Sequence, residues 1–227
     1  MHNITVITPT IGRASLIKLV KSLTLQNVNI THLMMWDNKR EEKGYLPNDN
    51  RISQFETDNY KIYHYVIEHP VVIGRKDNYL RTVGLMMSNT EYITQIDDDC
   101  WIENDWLNRA INNIITSKLD YCFCIRRLWE NEDTILGIDN YESIGIVNSF
   151  GYNLIETNSI VFNKGILNDI CSITQLHNNY GHDRKIGKFL IENKYGMFDT
   201  NFGLNQIVPE FLLNDHKQVM KKILENK

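Results

Sequence analysis

The stretch Glu91-Tyr92-Ile93-Thr94-Gln95-Ile96-Asp97-Asp98-Asp99 decides how this chain is read. Residues 91–96 carry β-branched and aromatic side chains with no Gly or Pro, which predicts a strand. The strand runs directly into three consecutive carboxylates. In an open parallel sheet, ligands gather at the carboxyl ends of the strands. Three carboxylates placed there repel one another. Hard divalent cations such as Mg²⁺ or Mn²⁺ prefer oxygen ligands and keep waters and substrate phosphates in their shell, so a cation shared with a diphosphate offsets that repulsion. The alternative is an acidic, solvated turn.

Working outward, the pattern around this stretch alternates. Residues 75–88 place Leu80, Val83, Leu85 and Met87 at helical spacing, and residues 105–117 read as a helix with Asp105 near its start. Residues 119–126 read as the next strand. Toward the N-terminus, residues 4–8 are a β-branched strand closed by Pro9-Thr10-Ile11-Gly12-Arg13. Residues 14–25 follow as a helix, 30–36 as a strand ended by Asp37, 39–59 as a polar loop region with room for a short helix, and 61–68 as a strand ended by His69-Pro70. Strand and helix in alternation predict an α/β fold with a mainly parallel central sheet covered by helices on both faces. The second half is less regular, with a strand expected at 159–162 and a helix at 183–192. With no linker in view, the 227 residues read as a single domain, 1–126 serving nucleotide binding and 127–227 the acceptor side.

The net charge is −4, so no basic field argues for nucleic acid. Four cysteines (Cys100, Cys122, Cys124, Cys171) lack the spacing of a zinc knuckle and read as reduced, buried thiols. The N-terminus shows no signal-peptide pattern, and no apolar run is long enough to span a bilayer. The expectation is a cytoplasmic protein. Residues 215–227 are Lys-rich and helical in pattern, which leaves open peripheral contact with a membrane or a solvated terminal helix.

Three segments together carry a resemblance: Ile-Thr-Val-Ile-Thr-Pro-Thr-Ile-Gly-Arg at 4–13, the run from Arg81 to Asp99, and Gly181-His182-Asp183. The chain resembles the inverting GT-A glycosyltransferases of the family 2 type. In that family a first strand ends in a Pro-Thr turn, and an Arg stands sixteen positions before the first Asp of the acidic motif. Here that Arg is Arg81, and Gly84 takes the place of the family's helical Gly. Asn89-Thr90-Glu91-Tyr92-Ile93 stands where the family has Gly-Glu-Tyr-Ile. The likeness covers the first half and thins out after Arg126.

The resemblance implies a nucleotide-sugar donor, a UDP-sugar, and hexosyl transfer to a hydroxyl of a glycan, lipid-linked or protein-linked acceptor. Pro9, Thr10 and Arg13 would line the nucleotide pocket. Asp37 would hydrogen-bond the base edge, or serve as a turn residue or helix cap. Arg81 would contact the diphosphate or hold the aspartates. Asp97 would bind ribose or sugar hydroxyls and take part in the metal site, Asp99 would be the main Mn²⁺ or Mg²⁺ ligand, and Asp98 would assist. Gly74-Arg75-Lys76 stands at a predicted helix start, where backbone N–H groups favour an anion, which makes Arg75 a donor-binding candidate. Asp183 would be the base that takes the acceptor proton, or an N-terminal helix cap. The family has Glu-Asp there, and His182-Asp183 departs from it. His216 would be a third metal ligand, or a surface residue. Trp101 and Trp106 would stack on sugar or pack in the core. Two other classes stay open: a sugar-phosphate nucleotidyltransferase, weakened by the single Gly after the first strand, and a catalytically silent carbohydrate-binding protein of the same fold.

Overall fold

The computed structural model describes residues 1–37, 44–68, 76–131, 133–139, 155–176 and 182–208, apart from the side chains of 76, 77, 175, 176 and 182–184. In chain order the elements are β1 (Asn3–Thr10), α1 (Leu16–Thr24), β2 (Asn29–Asp37), α2 (Asn50–Ser53), β3 (Tyr60–Ile67), α3 (Lys76–Met87), β4 (Tyr92–Gln95) and β5 (Cys100–Ile102). They continue with α4 (Trp106–Ser117), β6 (Tyr121–Trp129), β7 (Ile135–Asp139), β8 (Ile160–Asn163), α5 (Leu167–Leu176), α6 (His182–Asn193) and β9 (Gly196–Ile207).

One sheet runs through both halves in the order β3-β2-β1-β4-β8-β6-β9-β5, with β7 pairing off β6. Its parallel character comes from β3, β2, β1 and β4, joined as parallel neighbours, and from the parallel β6–β9 pair. β8 enters antiparallel between β4 and β6, and β5 and β7 pair antiparallel at the far side. The expected α/β architecture is therefore present, and the second half adds antiparallel pairs to it.

Successive side chains on a strand face opposite sides of the sheet, and this period of two sorts the core into two clusters. Ile4 and Val6 of β1, Met34 and Trp36 of β2, and Cys122 and Cys124 of β6 face α1 and α4, which contribute Leu19, Leu23, Trp106 and Ile111. Ile7, Leu33, Met35, Tyr121 and Phe123 face the other way, toward Leu80 and Leu85 of α3, Ile170 of α5 and Leu190 of α6. Helices thus cover both faces, the arrangement a parallel sheet requires. Gly84 belongs to this packing: a Cβ there would stand 2.4 Å from Ile7 Cγ2, so α3 lies closer to β1 than any larger residue permits. At the start of α4, Gln26 accepts from the Leu107 N–H (3.0 Å) and donates to the Glu103 carbonyl (3.0 Å), satisfying a helix-end donor that has no partner within its own helix.

Strands β5, β7 and β9 and helix α5 are additions to what the sequence pattern predicts. The remaining expected elements are present with ends shifted by a few residues.

Candidate functional site

Asp97, Asp98 and Asp99 form the turn between β4 and β5, closed by the Cys100 N–H bonding to the Asp97 carbonyl at 3.1 Å. Three neighbours hold this turn. β1 lies on one side, with the Ile96 N–H donating to the Ile7 carbonyl at 3.0 Å. β8 lies on the other, with its start next to the end of β4 because the two run antiparallel. The end of β9 is tied in by the Ile207 N–H, which donates to the Asp99 carbonyl at 3.1 Å.

Asp98 is buried and fully engaged. Its Oδ2 accepts from the Thr10 hydroxyl (2.7 Å) and from the Ile11 N–H (3.3 Å), and its Oδ1 accepts from Arg13 Nη1 at 2.6 Å. The turn after β1 is shaped for this. Gly12 takes φ +82, a left-handed conformation that Gly adopts without strain, and its N–H donates to Thr10 Oγ1 at 2.9 Å. That tight turn brings Arg13 back onto the aspartate. Burial raises the pKa of Asp98, against the pull of Arg13 and the Thr10 hydroxyl. The expectation gave Asp98 only an assisting role; in the structure it joins the acidic turn to the turn after β1.

Asp97 is clamped at both oxygens. Arg81 Nη2, from buried Arg81 on α3, donates to Oδ1, and Asn158 Nδ2 donates to Oδ2 at 3.1 Å. The Asp97 N–H donates to Asn158 Oδ1 at 2.9 Å. Asn158 is in turn held by Glu156, whose Oε1 accepts from Asn158 Nδ2 at 2.8 Å. Glu156 Oε2 accepts from Arg126 Nη1 at 2.6 Å, and Arg126 also donates to Asp139 and to Gln206. Burial works against the charge on Arg126; Glu156 and Asp139 outweigh it and raise its pKa.

Asp99 has the weakest compensation of the three. Its Oδ1 meets the Cys100 thiol at 3.4 Å, and Arg13 Nη1 stands 3.9 Å from its Oδ2. Burial, followed by the charges of Asp97 and Asp98, pushes its pKa up to about 7. A carboxylate held this way near neutral pH is stabilised in its charged form by an added cation. Among the described residues, no group of three or more His, Cys, Asp and Glu side chains is arranged to hold a metal by itself. Mg²⁺ and Mn²⁺ sites that use one or two carboxylates and complete the shell with substrate phosphates and water need no such group, so the oxygen donors of Asp99 and Asp97 fit these cations.

The other expected positions fall as follows. Pro9 and Thr10 end β1, beside Met35 and Trp36 of β2, so Asp37 sits on the same carboxyl edge of the sheet as the aspartates, buried. Asp183 falls in the first turn of α6, and its side chain is outside the described set. Arg75 and His216 lie outside the described residues. Trp106 is a core residue under the sheet. Trp101 is partly exposed, packing on Trp129 at 5.5 Å between ring centroids, with Lys18 Nζ 4.9 Å above it. Sequence reasoning did not find Asn158, Glu156 or Arg126. The one available signal was the polar run Glu156-Thr157-Asn158 just before the strand expected at 159–162, and only the antiparallel pairing of β8 with β4 gives it meaning.

No protein-family model matches the chain, and no curated protein sequence is similar to it. Its fold does match solved structures. Against S. aureus TarS the TM-score is 0.66 at 14% identity, covering 96% of this chain and 39% of TarS. TarS 1–349 in complex with UDP gives 0.58 at 13% identity, covering 96% of this chain and 64% of that one. The same TarS segment in complex with UDP-GlcNAc gives 0.55 at 13% identity, covering 92% and 59%. The chain therefore spans well under two thirds of the TarS chain in the first of these and about three fifths in the complexes. What this likeness shows is a shared GT-A-like α/β fold.

Proposed function

We propose that this chain is a glycosyltransferase that moves a sugar, a hexose-type unit, from a UDP-sugar to a hydroxyl of a glycan, lipid-linked or protein-linked acceptor. The observation that carries the reading is the acidic turn at the carboxyl end of β4, where Asp99 is held against two other carboxylates with little compensation. A fold that is similar to a protein solved with UDP and with UDP-GlcNAc supports the same donor class.

Within this reading, Asp99 with Asp97 holds Mn²⁺ or Mg²⁺, and His216 is a candidate third ligand. A divalent cation bound there supplies positive charge to a departing diphosphate. Arg13 and Arg81 keep the acidic turn in place, and Pro9, Thr10 and Asp37 form the nucleotide edge of the pocket, with Arg75 as a further donor contact. Asp183 accepts the proton of the acceptor hydroxyl as that oxygen attacks, because the hydroxyl becomes acidic only as its bond to carbon forms. Attack from the face opposite the leaving group inverts the anomeric centre. We place the protein in the cytoplasm; no described helix is long and apolar enough to cross a membrane.

Thermal denaturation with UDP and UDP-GlcNAc, each with Mn²⁺ or with chelator, tests this. A ligand that binds only the folded chain raises its apparent stability by about 2.7 kcal/mol at a hundred times Kd. The expected result is a shift that needs both nucleotide and Mn²⁺ and disappears in Asp99→Asn. No shift at millimolar nucleotide would leave a silent protein of the same fold as the better account.

A further inference from the structure

Asn158 has no role in the expected site, yet it makes two hydrogen bonds to the acidic turn, one to its backbone and one to a carboxylate. It sits in a short 3₁₀ turn, Thr157–Ser159, and is 3% exposed. Its amide is used from both ends. Oδ1 accepts the Asp97 N–H at 2.9 Å, fixing the backbone of the turn. Nδ2 donates to Asp97 Oδ2 at 3.1 Å, fixing the carboxylate. The amide cannot rotate without losing both bonds, because Glu156 Oε1 accepts from the same Nδ2 at 2.8 Å and holds the nitrogen on that side. Glu156 is anchored by Arg126, which is itself buried among Asp139 and Gln206. Arg81 occupies the other Asp97 oxygen. The carboxylate is thus held in one orientation from two elements, α3 and the turn before β8.

We propose that Asn158 is a positioning residue for the donor site: it holds Asp97 in the one orientation that meets the nucleotide-sugar, and Glu156 sets the rotamer of Asn158. The inference rests on the donor reading given above. A partly exposed carboxylate that must present an oxygen to a ligand needs its torsion fixed beforehand, and side chains that orient such groups are worth about 10–100-fold in affinity or activity. Asn158→Asp separates the two bonds. It keeps the size and the acceptor for the Asp97 N–H, but it cannot donate to Asp97 Oδ2 in its ionised form.

The test is a double-mutant cycle on UDP binding with Mn²⁺, read by titration calorimetry, with each variant's thermal midpoint measured alongside. Asn158→Ala and Asn158→Asp are each expected to weaken UDP binding about 10–100-fold. Glu156→Gln keeps an oxygen acceptor for Nδ2 and is expected to lose less. In an Asp97→Asn background, Asn158→Ala is expected to cost less than about 2-fold further, because it acts through Asp97. Equal losses with and without Asp97, or an Asn158→Asp variant that binds like wild type, would overturn the proposal. Should a variant fold poorly, the cycle is read on Glu156→Gln with Asp97→Asn, where the same non-additivity is expected and additivity overturns it. Wild-type protein that does not bind UDP would instead overturn the donor reading, so the two failures differ.

Discussion

Asp97, Asp98 and Asp99 are identical in chemistry and adjacent in the chain, and their surroundings assign them different work. Asp98 is paired with Arg13 and Thr10, Asp97 is clamped by Arg81 and Asn158, and Asp99 is left with a thiol and a distant guanidinium. Stability is therefore given up at Asp99, as happens where a site is kept for a ligand. The sign follows from its pKa, about 7 when folded against 3.8 as the ordinary value. Between those values the folded chain binds more protons at this residue than the unfolded chain does, so this group's contribution falls as pH rises through the window. Asp99→Asn removes that loss. In chelator, the variant is expected to gain on wild type by about 1 kcal/mol per pH unit from pH 4 toward pH 7, read as urea midpoints at constant m. A difference that stays constant with pH would mean Asp99 is not under this strain.

His32 acts in the opposite direction, and it does so as a joint between elements. It lies in β2, fully buried, with Nδ1 bonded to the Tyr60 hydroxyl of β3 and Nε2 to the Thr8 hydroxyl of β1, each at 2.8 Å. Burial, with a smaller push from His64, lowers its pKa from 6.5 to about 3. Its stabilising contribution is present above pH 6.5 and is lost as pH falls toward 3, since only the unfolded chain takes up the proton across that range. His32→Gln is expected to cost about 1–3 kcal/mol at pH 7, with the deficit shrinking toward pH 4. A deficit that grows with acid would refute this. Strands β1 to β4 were legible because their apolar and β-branched residues form short runs bounded by turns, loops or helices, whereas β5, only three residues long, carries no pattern to read. β9 was not legible either, and the reason lies in particular residues. Asp199 and Asn205 are buried inside it, satisfied by Arg109 and by Trp129 and Arg127, so the strand has no apolar alternation to read.

At the scale of the whole molecule, a parallel half and a mixed half of one sheet meet at the β4–β8 seam, and the acidic turn stands at that seam. The parallel half was readable, and with it the aspartates, Thr10, Arg13 and Arg81. The other wall of the site was hidden because antiparallel pairing brings Asn158 beside Asp97 across sixty-one positions of chain, which no local pattern encodes. The cysteines offer a test of this single-sheet arrangement. Cys100 of β5 and Cys122 and Cys124 of β6 belong to one core cluster and are buried, whereas Cys171 on α5 is partly exposed. Burial pushes the Cys122 thiol up to about 11 and raises those of Cys100 and Cys124 well above the usual thiol range, so all three are protonated and shielded in the folded chain. An aromatic disulfide reagent at pH 8 is expected to titrate one thiol of the four in native protein, a reaction lost in Cys171→Ser. The other three are expected to appear together in denaturant, at the rate of global unfolding, because strands of one sheet over one core open as a unit. Cys100 reacting well ahead of Cys122 and Cys124 would show that β5 and the aspartate turn open on their own, and that the seam does not tie the site to the rest of the sheet.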